Sequence, residues 1–552
     1  MQKTHWYKDM VFYQIWPRSF LDGNSDGIGD LYGVLEKLDY IKELGCDGIW
    51  FSPLYPSPGA DCGYDVADYM DIDRAYGGME TFRKVLDEAH RRGMKVIMDL
   101  VVNHTSDEHE WFIRSRRRED PYTDYYIWRP AGKNGKLPNN WDSIFEGKAW
   151  QWDEERGEYY LHLFAVKQPD LNMDNPLVRE EVKKIMRFWL DLGVDGFRED
   201  VITFISKREG LPNDHLMPAS KGLIHYSHGP RLHEYLREFR DDVLSKYDCL
   251  VLAESPMVSP SKALEYLSCD GSGELDMMIQ FDTMCADCLV VDYIRLPFSL
   301  RKMKRKYRLW QKKLDGCAWN MLYIENHDHS RIVSRYGDER YREMSAKVLC
   351  ASYMFQKGTP FIYQGQELGM VNYPAKSMDD YEDVQTLNTL SFLPDSLRLK
   401  ICQKASRDHA RTPVQWTGGK NAGFSDVDPW FHVNPNYREL NAQAEEADPQ
   451  SVLNFYKKAV ALRKSSSSVK DGTFRELRSY SSRWYIYERE DDNELILVIL
   501  YFSSRPGYFR PLRGRDLRKM TPVLTGYPDA PLDSRGGFSA RPWECRIYKI
   551  KK

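Results

Sequence analysis

The sequence predicts an α/β fold in which eight parallel strands and their helices close into a (β/α)8 TIM barrel, with an inserted lid subdomain after strand 3 and a C-terminal antiparallel β-sandwich. Three observations predict it. Short apolar runs recur along the chain, amphipathic segments lie between them, and two stretches interrupt this alternation. Buried parallel strands read as continuous apolar runs, and eight such runs separated by helices close a barrel.

The elements follow in chain order. The predicted strands are Val11–Trp16, Gly48–Phe51, Lys95–Val102, Gly196–Asp200, Cys249–Glu254, Met277–Phe281, Met321–Glu325 and Thr359–Tyr363. The helical patterns between them include Leu31–Leu44, Thr81–Arg92, Val178–Leu192, Leu232–Leu244 and Tyr341–Phe355. Several of these end at a glycine, as helices often do.

Two stretches define the other domains. From about Thr105 to Asn175 the chain is rich in Trp, Tyr, Asn, Pro and Gly and is too long for a simple loop, so we expect a small subdomain over the barrel mouth. From about Asp471 onward, strand-like runs follow one another without helices. The predicted domains are a barrel over 1–104 and 176–470, an inserted subdomain over 105–175 and a β domain over 471–552.

Composition excludes several functional classes. The 552 residues have a formal net charge of -4 and no sustained block of one sign, so no nucleic-acid partner is expected. The N-terminus has no apolar core of a signal peptide, and no run of about twenty apolar residues occurs, so no membrane association is expected. The ten cysteines are scattered and predict reduced thiols. We expect a cytoplasmic monomer with no organic cofactor.

Polar residues close four of the predicted strands. Strand three ends in Asp99 to His104, strand four in Arg198-Glu199-Asp200, strand five in Glu254 and strand seven in Glu325 to Asp328. The catalytic residues of such barrels come from the carboxyl ends of strands. A single carboxylate there is more often a helix cap or an ion-pair partner. Convergence of several favours acid/base and nucleophilic chemistry on an acetal.

The chain resembles the oligo-1,6-glucosidase group of glycoside hydrolase family 13, the α-amylase family, over nearly its whole length. The matching stretches are Asp61-Cys-Gly-Tyr64-Asp, Asp99 to His104, Gln168-Pro-Asp-Leu-Asn172, Gly196 to Ile202, Ala253-Glu254, Glu325 to Asp328, Gly358 to Gly365 and Arg407-Asp-His-Ala-Arg-Thr-Pro413. Several motifs in the same order identify a family where one motif would not.

The resemblance implies the catalytic roles. Asp200 would attack the anomeric carbon, Glu254 would protonate the leaving oxygen with a raised pKa, and Asp328 would hold sugar hydroxyls. A retaining pair of carboxyl groups lies about 5 to 5.5 Å apart. Arg198, on the same strand face as Asp200, is expected to keep the nucleophile ionised. The implied reaction is release of glucose from a small oligosaccharide through a covalent glucosyl-enzyme.

The same resemblance implies a binding pocket for the non-reducing glucose. Its residues would be Asp61, Tyr64, His104, His327 and Arg407, and a closed pocket of this kind implies exo action. Val201 tends in this group to accompany cleavage of α-1,6 links, although it also suits a barrel strand as a β-branched residue.

Several residues depart from the pattern of the group, among them Gln385 and Glu199. Gln385 stands where a glutamate contacting the leaving sugar is common. The sequence therefore does not predict which aglycone the site prefers. Glu199 stands where an apolar residue is usual and should point toward the helix layer, where its charge needs a partner.

A loop after strand one resembles the calcium loop of this group. Asp22, Asn24, Asp26, Ile28 and Asp30 place oxygen donors at alternate positions with a glycine at the sixth, like the start of an EF-hand loop. Position twelve is Gly33, so Asp30 would have to close the site. The expectation is a structural Ca²⁺; the alternative is a polar loop of Asx-turns without metal.

Other functions share these motifs. A trehalose-6-phosphate hydrolase, a sucrose-active or α-1,4-active glucosidase and a transglucosylase would have the same core. Another class, the non-catalytic partner subunits of membrane transporters, lacks part of the carboxylate set and has a membrane helix. Retention of Asp200, Glu254 and Asp328 favours an enzyme.

Overall fold

A computed structural model describes residues 3–145, 147–217, 219–289 and 293–552. Its largest sheet has eight parallel strands. They are β1 (Phe12–Ile15), β2 (Gly48–Phe51), β3 (Lys95–Leu100), β4 (Gly196–Glu199), β5 (Leu250–Ser255), β6 (Met277–Gln280), β7 (Met321–Leu322) and β8 (Thr359–Tyr363). All eight lie where the sequence predicts them, and the differences are confined to their ends.

The strands follow one another around the sheet. Each pairs in parallel with the next from β1 to β6, and β8 pairs with both β1 and β7. The strands β6 and β7 close the ring, where the Tyr323 hydroxyl donates to the Gln280 carbonyl at 2.8 Å. This is the predicted barrel.

Helices connect the strands and cover the barrel. The longer ones are Leu31–Glu43, Gly78–Arg91, Pro176–Leu192, Leu232–Asp242, Leu300–Leu314, Arg342–Met354, Asp395–Ala405 and Val452–Ser465. The shorter ones are Glu110–Arg116, Leu223–Tyr226, Pro260–Ala263, Ile332–Tyr336, Val384–Asn388, Asp408–Arg411, Ala442–Ala447 and Ser467–Lys470. In the ranges given above, no helix combines the length and apolarity needed to cross a membrane.

Side chains from the strands alternate between the barrel interior and the helix layer. The interior is filled by an apolar cluster that includes Phe12, Trp50, Ile97, Leu252 and Phe361. A larger cluster joins the outer strand faces to the helices. Two packed layers of side chains therefore hold the strand ends in fixed positions.

The segment predicted as a lid contains a three-stranded antiparallel sheet of Trp128–Arg129, Glu158–Leu161 and Trp150–Asp153. A separate apolar cluster joins it to the loop after β4, through residues such as Trp141, Leu163 and Phe204. The segment therefore packs against the end of the barrel that carries the polar strand termini. The exact domain boundaries stay a prediction.

The C-terminal part is antiparallel, as predicted. Its five-stranded sheet has the order Thr473–Leu477, Trp484–Glu490, Glu494–Tyr501, Cys545–Lys551 and Thr521–Thr525. A second sheet pairs Gly507–Phe509 with Phe538–Ala540, and one apolar cluster lies between the two sheets. Lys304 and Arg308 of the helix Leu300–Leu314 pair with Glu476 of the first sheet, so ion pairs join the barrel to the C-terminal part.

Candidate active site

Arg198 lies at the centre of the polar strand ends. Its Nη1 donates to Asp200 at 2.7 Å and to Asp99 at 2.9 Å, and its Nη2 donates to Glu254 at 2.7 Å. The guanidinium is 1% exposed and lies over the ring of Trp50. One buried cation thus holds together three carboxyl groups from three neighbouring strands.

Burial has the largest effect on the pKa values of the carboxyl groups of Asp200 and Glu254. It raises the pKa of Asp200 and of Glu254, and Arg198 opposes the rise at both residues. Arg198 therefore favours the ionised form of Asp200, as the sequence predicts, while burial and the charges of Glu254 and Asp99 raise its pKa and oppose that effect. The two carboxyl groups face one cation, so we infer that they share one proton between them.

Val201 follows the nucleophile in an unusual backbone conformation. Its φ of 35° and ψ of 36° are left-handed, which is rare for a β-branched residue. The conformation points its backbone N–H at Glu254 Oε2, 3.1 Å away. Its side chain lines the cavity beside Phe164 and Phe204. Such strain is held by surrounding packing and is typical of active sites.

Asp328 occupies the opposite side, directly after the polar end of β7. Its carboxylate lies 3.1 Å from His327 Nε2, 3.4 Å from Arg407 Nη1 and 3.6 Å from Arg411 Nη2. Burial alone would raise the pKa of Asp328, but these neighbours outweigh burial and hold it below its usual value. The lowered pKa favours the anionic form of Asp328, whereas the pKa values of Asp200 and Glu254 are shifted upward.

Tyr64 and His327 form the floor behind the carboxylates. The Tyr64 hydroxyl donates to Asp99 at 2.8 Å and lies 2.7 Å from His327 Nε2. The imidazole is stacked against Trp16 and Tyr64, and burial lowers the pKa of His327 to about 3. His327 is thus a neutral, fully packed group that supports the site from beneath.

Arg407 links the floor to the cavity wall. Its Nη2 donates to Asp61 at 3.1 Å and also bonds Asp383. Asp383 binds Arg411 as well, at 3.1 Å. Burial would raise the pKa of Asp383, but Arg407 and Arg411 lower it to about 2. Sequence reasoning missed Asp383 because it precedes the helix Val384–Asn388 and reads as an ordinary N-cap, which it also is.

His104 and Gln168 complete this wall. Gln168 Nε2 donates to Asp61 at 3.2 Å and lies 3.1 Å from His104 Nε2. Burial lowers the pKa of His104 to about 4, so the ring is neutral. Asp61, which lines the cavity, is thereby held between an amide and a guanidinium, one at each carboxylate oxygen.

These residues surround a cavity of about 350 Å³, near the lower end of the range for small-molecule sites. Nine of the eleven predicted catalytic and substrate residues line it; Arg198 and His327 lie behind its floor. The sequence did not single out most of the remaining lining residues, such as Phe145, Phe164, Phe204 and Leu390. They come from the lid and from loops, where no strand-end rule applies.

The predicted metal loop folds around its own carboxylates. Backbone N–H groups of Ser25 and Gly27 donate to Asp22 at 2.7 and 2.8 Å, and that of Ile28 donates to Asp26 at 2.8 Å. Gly27, the sixth position, has φ 91°, and a Cβ there would lie 2.5 Å from a backbone carbonyl. Asp30 caps the helix Leu31–Glu43. These contacts are those of Asx-turns.

The donor chemistry of this loop nevertheless suits calcium. Three carboxylates, the Asn24 amide and the Ile28 carbonyl offer oxygen only. Across the described residues, no three His, Cys, Asp or Glu side chains gather in a metal-binding group. Within the same ranges, Asp22, Asp26 and Asp30 form no ion pair with Lys or Arg. The donor types of the loop fit a calcium ion, and because its carboxylates do not gather in a group, Asn24 and the Ile28 carbonyl would have to complete the set.

Comparison with known sequences gives a consistent result. Residues 14–472 match the model of the alpha amylase catalytic domain. An oligo-1,6-glucosidase of Parageobacillus thermoglucosidasius is 47% identical over 559 residues, covering 99% of both chains. A trehalose-6-phosphate hydrolase of Bacillus subtilis strain 168 is 41% identical over 562 residues, covering 100% of this chain and 99% of that one.

Solved structures resemble the fold over its full extent. A trehalose-6-phosphate hydrolase of Bacillus licheniformis superposes with a TM-score of 0.94 at 40% identity, covering 99% of this chain and 100% of that one. The trehalulose synthase of Pseudomonas mesoacidophila MX-45 gives a TM-score of 0.93 at 39% identity, covering 99% of each chain. The cavity lined by Asp200, Glu254 and Asp328 thus lies in a fold that several different reactions use.

Proposed function

Because this chain belongs to the α-amylase family, whose catalytic domain it matches over residues 14–472, we propose that it is an exo-acting retaining α-glucosidase. Its substrates would be short α-glucosides, with α-1,6-linked isomaltose and isomaltooligosaccharides preferred. Several relatives at 43 to 47% identity are oligo-1,6-glucosidases. The chain is a glycoside hydrolase of this family. The proposal concerns the roles of its active-site residues and the substrate that it prefers.

The observation that carries the proposal is the pair of carboxyl groups on one guanidinium. Asp200 and Glu254 accept from the two terminal nitrogens of Arg198 at 2.7 Å each. Two groups held on one planar cation lie side by side, as in the retaining geometry, whereas an inverting pair is about 6.5–9.5 Å apart to admit a water. This arrangement supports direct attack on the sugar.

The first step would be nucleophilic attack by Asp200 on C1 of the glucose. Glu254 gives its proton to the departing oxygen, so the aglycone leaves as a neutral alcohol. The raised pKa of Glu254 favours the protonated form that this step needs. Arg198 stabilises the carboxylate of Asp200 as the proton settles on Glu254.

The second step would use water. Glu254, now ionised, accepts a proton from the water that attacks C1, and Asp200 leaves as a carboxylate. The backbone N–H of Val201 stays within 3.1 Å of Glu254 and stabilises this ionised form. Two displacements at C1 restore the α configuration in the released glucose.

The inner end of the cavity would bind the non-reducing glucose. Asp328, with its lowered pKa, and the Asp61 and Arg407 pair present charged groups for sugar hydroxyls. Tyr64 offers a ring as the floor, backed by His327. These groups close the inner end, which supports release of one terminal glucose at a time.

Cleavage of α-1,6 links is proposed from Val201 and from the relatives. The Val201 side chain lies on the cavity wall next to the nucleophile, where it would lie beside the bond to be cleaved. A trehalose 6-phosphate substrate would require a cationic side chain for its phosphate. Among the described lining residues the only Lys or Arg is Arg407, which is already bound to Asp61 and Asp383.

Calcium is proposed as a structural ion in the loop from Asp22 to Asp30. Asp22, Asn24, Asp26, Asp30 and the Ile28 carbonyl would hold it, and the ion would neutralise three carboxylates that lie within nine residues. The loop supplies none of the catalytic carboxylates. The cytoplasmic location and the monomeric state expected from the sequence stay predictions.

The proposal is tested by glucose release from isomaltose, maltose, sucrose, trehalose and trehalose 6-phosphate in parallel. We expect isomaltose to lead in kcat/KM by about tenfold, roughly 1.4 kcal/mol in transition-state binding. The Asp200→Asn variant, matched in size, should release no glucose from any of them. Activity of that variant equal to the parent would overturn the assignment of the nucleophile.

A further inference from the structure

We propose that a second cavity, in the C-terminal part of the chain, binds a nucleoside phosphate. This cavity has a volume of about 570 Å³, within the range of small-molecule sites. It lies between one end of the five-stranded sheet, the segment 511–520 and the turn at Arg535 and Gly536. We call it the C-terminal cavity. Its described lining residues have none in common with the active-site cavity, so the inference does not rest on the proposed glucosidase function.

The floor of the C-terminal cavity is apolar. Leu495 lies in the strand Glu494–Tyr501 and pairs with Glu490 on one side and with Ile550 on the other. Leu495 and Met520 also belong to the apolar cluster between the two C-terminal sheets. Ile550 is 38% exposed at the cavity. The packed sheet therefore offers a firm apolar surface on which a flat ring would gain from burial.

The rim of the C-terminal cavity is cationic. Its charged members among the described residues are five cations and two anions, namely Arg515, Arg518, Lys519, Arg535 and Lys552 against Glu490 and Asp516. An excess of three positive charges thus faces one opening in a chain whose formal net charge is -4. A concentration of one sign of charge in a concave site attracts a ligand of the opposite sign.

Both anions of the rim are already paired. Asp516 accepts from Arg518 Nε and Nη2, at 2.8 Å each, through its two oxygens. Glu490 lies 3.1 Å from Lys552 Nζ and 3.7 Å from Arg515 Nη2. These pairs use the acidic groups of the rim together with three of its cations. The remaining two cations are therefore the ones available to a ligand.

Those two cations are Lys519 and Arg535. Within the described ranges, neither forms an ion pair or a side-chain hydrogen bond with another residue. Asp533, the acidic residue nearest to Arg535 in sequence, accepts from the Tyr508 hydroxyl and from the backbone N–H of Gly537. Its oxygens are thus already bonded. Two unpaired cations match the charge of one phosphate monoester, which is close to -2 at neutral pH.

Hydrogen bonds fix the backbone that carries the two unpaired cations. Arg518 Nη1 donates to the carbonyl of Ser534 at 2.7 Å and so joins the turn to the segment 511–520. Gly536 has φ 78°, and a Cβ there would lie 3.3 Å from Asp516 Oδ1, so the turn approaches that segment closely. Asp516 also accepts from the backbone N–H of Arg518 at 3.1 Å. A frame fixed in this way lowers the entropic cost of ordering a ligand.

Charge and floor together select the ligand. The phosphate would accept from Lys519 and Arg535, and a guanidinium suits phosphate because it can donate two parallel hydrogen bonds. Inorganic phosphate would leave the apolar floor uncovered. A sugar phosphate would place hydroxyls against the floor, where they would lose water without gaining partners. A nucleobase would cover the floor with a ring, so the cavity favours a nucleoside phosphate.

The test is isothermal titration calorimetry of the full chain with AMP, glucose 6-phosphate and inorganic phosphate. We expect AMP to bind with a Kd below about 1 mM and about tenfold more tightly than the other two ligands. No binding of AMP in this range would overturn the inference. Glucose 6-phosphate binding as tightly as AMP would contradict the selection of a nucleoside by the floor.

Matched variants locate the site. Arg535→Gln and Lys519→Gln each remove one cation and keep a long polar side chain, so each should raise the Kd for AMP about tenfold, the usual effect of losing one hydrogen bond to a charged group. Lys312→Gln, at an exposed cation of the helix Leu300–Leu314, should leave this Kd unchanged. An unchanged Kd in both Arg535→Gln and Lys519→Gln would contradict the site.

Two further measurements distinguish the floor and the active site. Ile550→Thr keeps a β-branched side chain on its strand, and it should weaken AMP about threefold while leaving the affinity for inorganic phosphate unchanged. Equal weakening of both ligands would contradict the role of the floor. AMP should not compete with isomaltose for hydrolysis. Competitive inhibition by AMP that persists in Arg535→Gln would place the nucleotide in the active site and overturn the inference.

Discussion

At the scale of single residues, Arg198 organises the site. It binds Asp200, Glu254 and Asp99 while remaining almost wholly buried. The sequence placed Arg198 on the correct strand face, but it could not show that one guanidinium contacts three carboxylates. Nor could it show that burial outweighs that cation, since the balance depends on how much protein covers each group.

Val201 offers a test of substrate preference at one side chain. Val201→Thr places a hydroxyl on the cavity wall beside the nucleophile, where it can bond a substrate hydroxyl. We expect the ratio of kcat/KM for maltose to that for isomaltose to rise about threefold to tenfold. Val201→Ala is the control, because it removes methyl groups without adding a hydroxyl. A ratio that changes equally in both variants would mean that size alone matters.

Glu254 offers a test of the general acid. In Glu254→Gln, kcat/KM for isomaltose should fall about 10²- to 10⁴-fold, the usual contribution of such a group. For 4-nitrophenyl α-glucoside, kcat/KM should fall by a factor at least tenfold smaller, since its leaving group needs little protonation. Asp200→Asn should affect both substrates alike. Equal losses for the two substrates in Glu254→Gln would contradict the acid role.

At the scale of elements, the ends of strands determine which side chains meet. The carboxyl ends of β3, β4, β5 and β7 bring together the groups that the motifs predicted, because barrel packing fixes the positions of these strand ends along the barrel axis. The strand bounds matched the apolar runs because buried strands leave a clear apolar signal. The lid and the loops after β4, β5, β6 and β8 supply the other cavity residues, such as Phe145, Phe204 and Leu390, and no periodic pattern in the sequence could have identified their side chains.

Glu199 in β4 predicts a pH dependence of stability. Burial, with a contribution from Asp276, raises the pKa of Glu199 to about 8, and among the described residues its Oε2 has no hydrogen-bond partner. The unfolded chain has the lower pKa of about 4.3. The folded state therefore holds the proton more tightly, so the stability that this group contributes is fully present below that value and is lost as the pH rises toward 8.

The measurement is urea unfolding of the parent and of Glu199→Gln at pH 5.5 and 7.5. Between pH 5.5 and pH 7.5, the free energy of unfolding of the parent should fall by roughly 2 kcal/mol more than that of the variant. The variant keeps the shape of a protonated carboxyl and cannot ionise. The same pH dependence in both proteins would show that Glu199 has no raised pKa.

The loop from Asp22 to Asp30 predicts stabilisation by calcium. An ion at one hundred times its Kd stabilises the folded state by about 2.7 kcal/mol. We expect Ca²⁺ added after EDTA treatment to raise the Tm of the parent by about 1–2 °C. Asp26→Ala should abolish the shift, and Asp241→Asn, at an exposed helix position, should keep it. No shift in the parent would leave the loop as Asx-turns alone.

At the scale of the whole molecule, the order of elements was predictable and the junctions were not. Alternating apolar runs and helical segments gave the barrel, and the change to consecutive strands gave the C-terminal sheets. The pairing of Glu476 with Lys304 and Arg308 across that junction joins residues far apart in sequence. The contacts of Asp383 were equally unpredictable from the sequence, since its bonds to Arg407 and Arg411 depend on how distant loops meet.

The central claim is that the enzyme retains the anomeric configuration through Asp200. The most direct measurement is proton NMR of the glucose released in the first minutes of hydrolysis of 4-nitrophenyl α-glucoside, whose leaving group is not a sugar, before mutarotation. We predict that α-glucose appears first and that β-glucose grows in only afterwards. Initial release of β-glucose would show a single displacement by water and would contradict the account of Asp200 and Glu254.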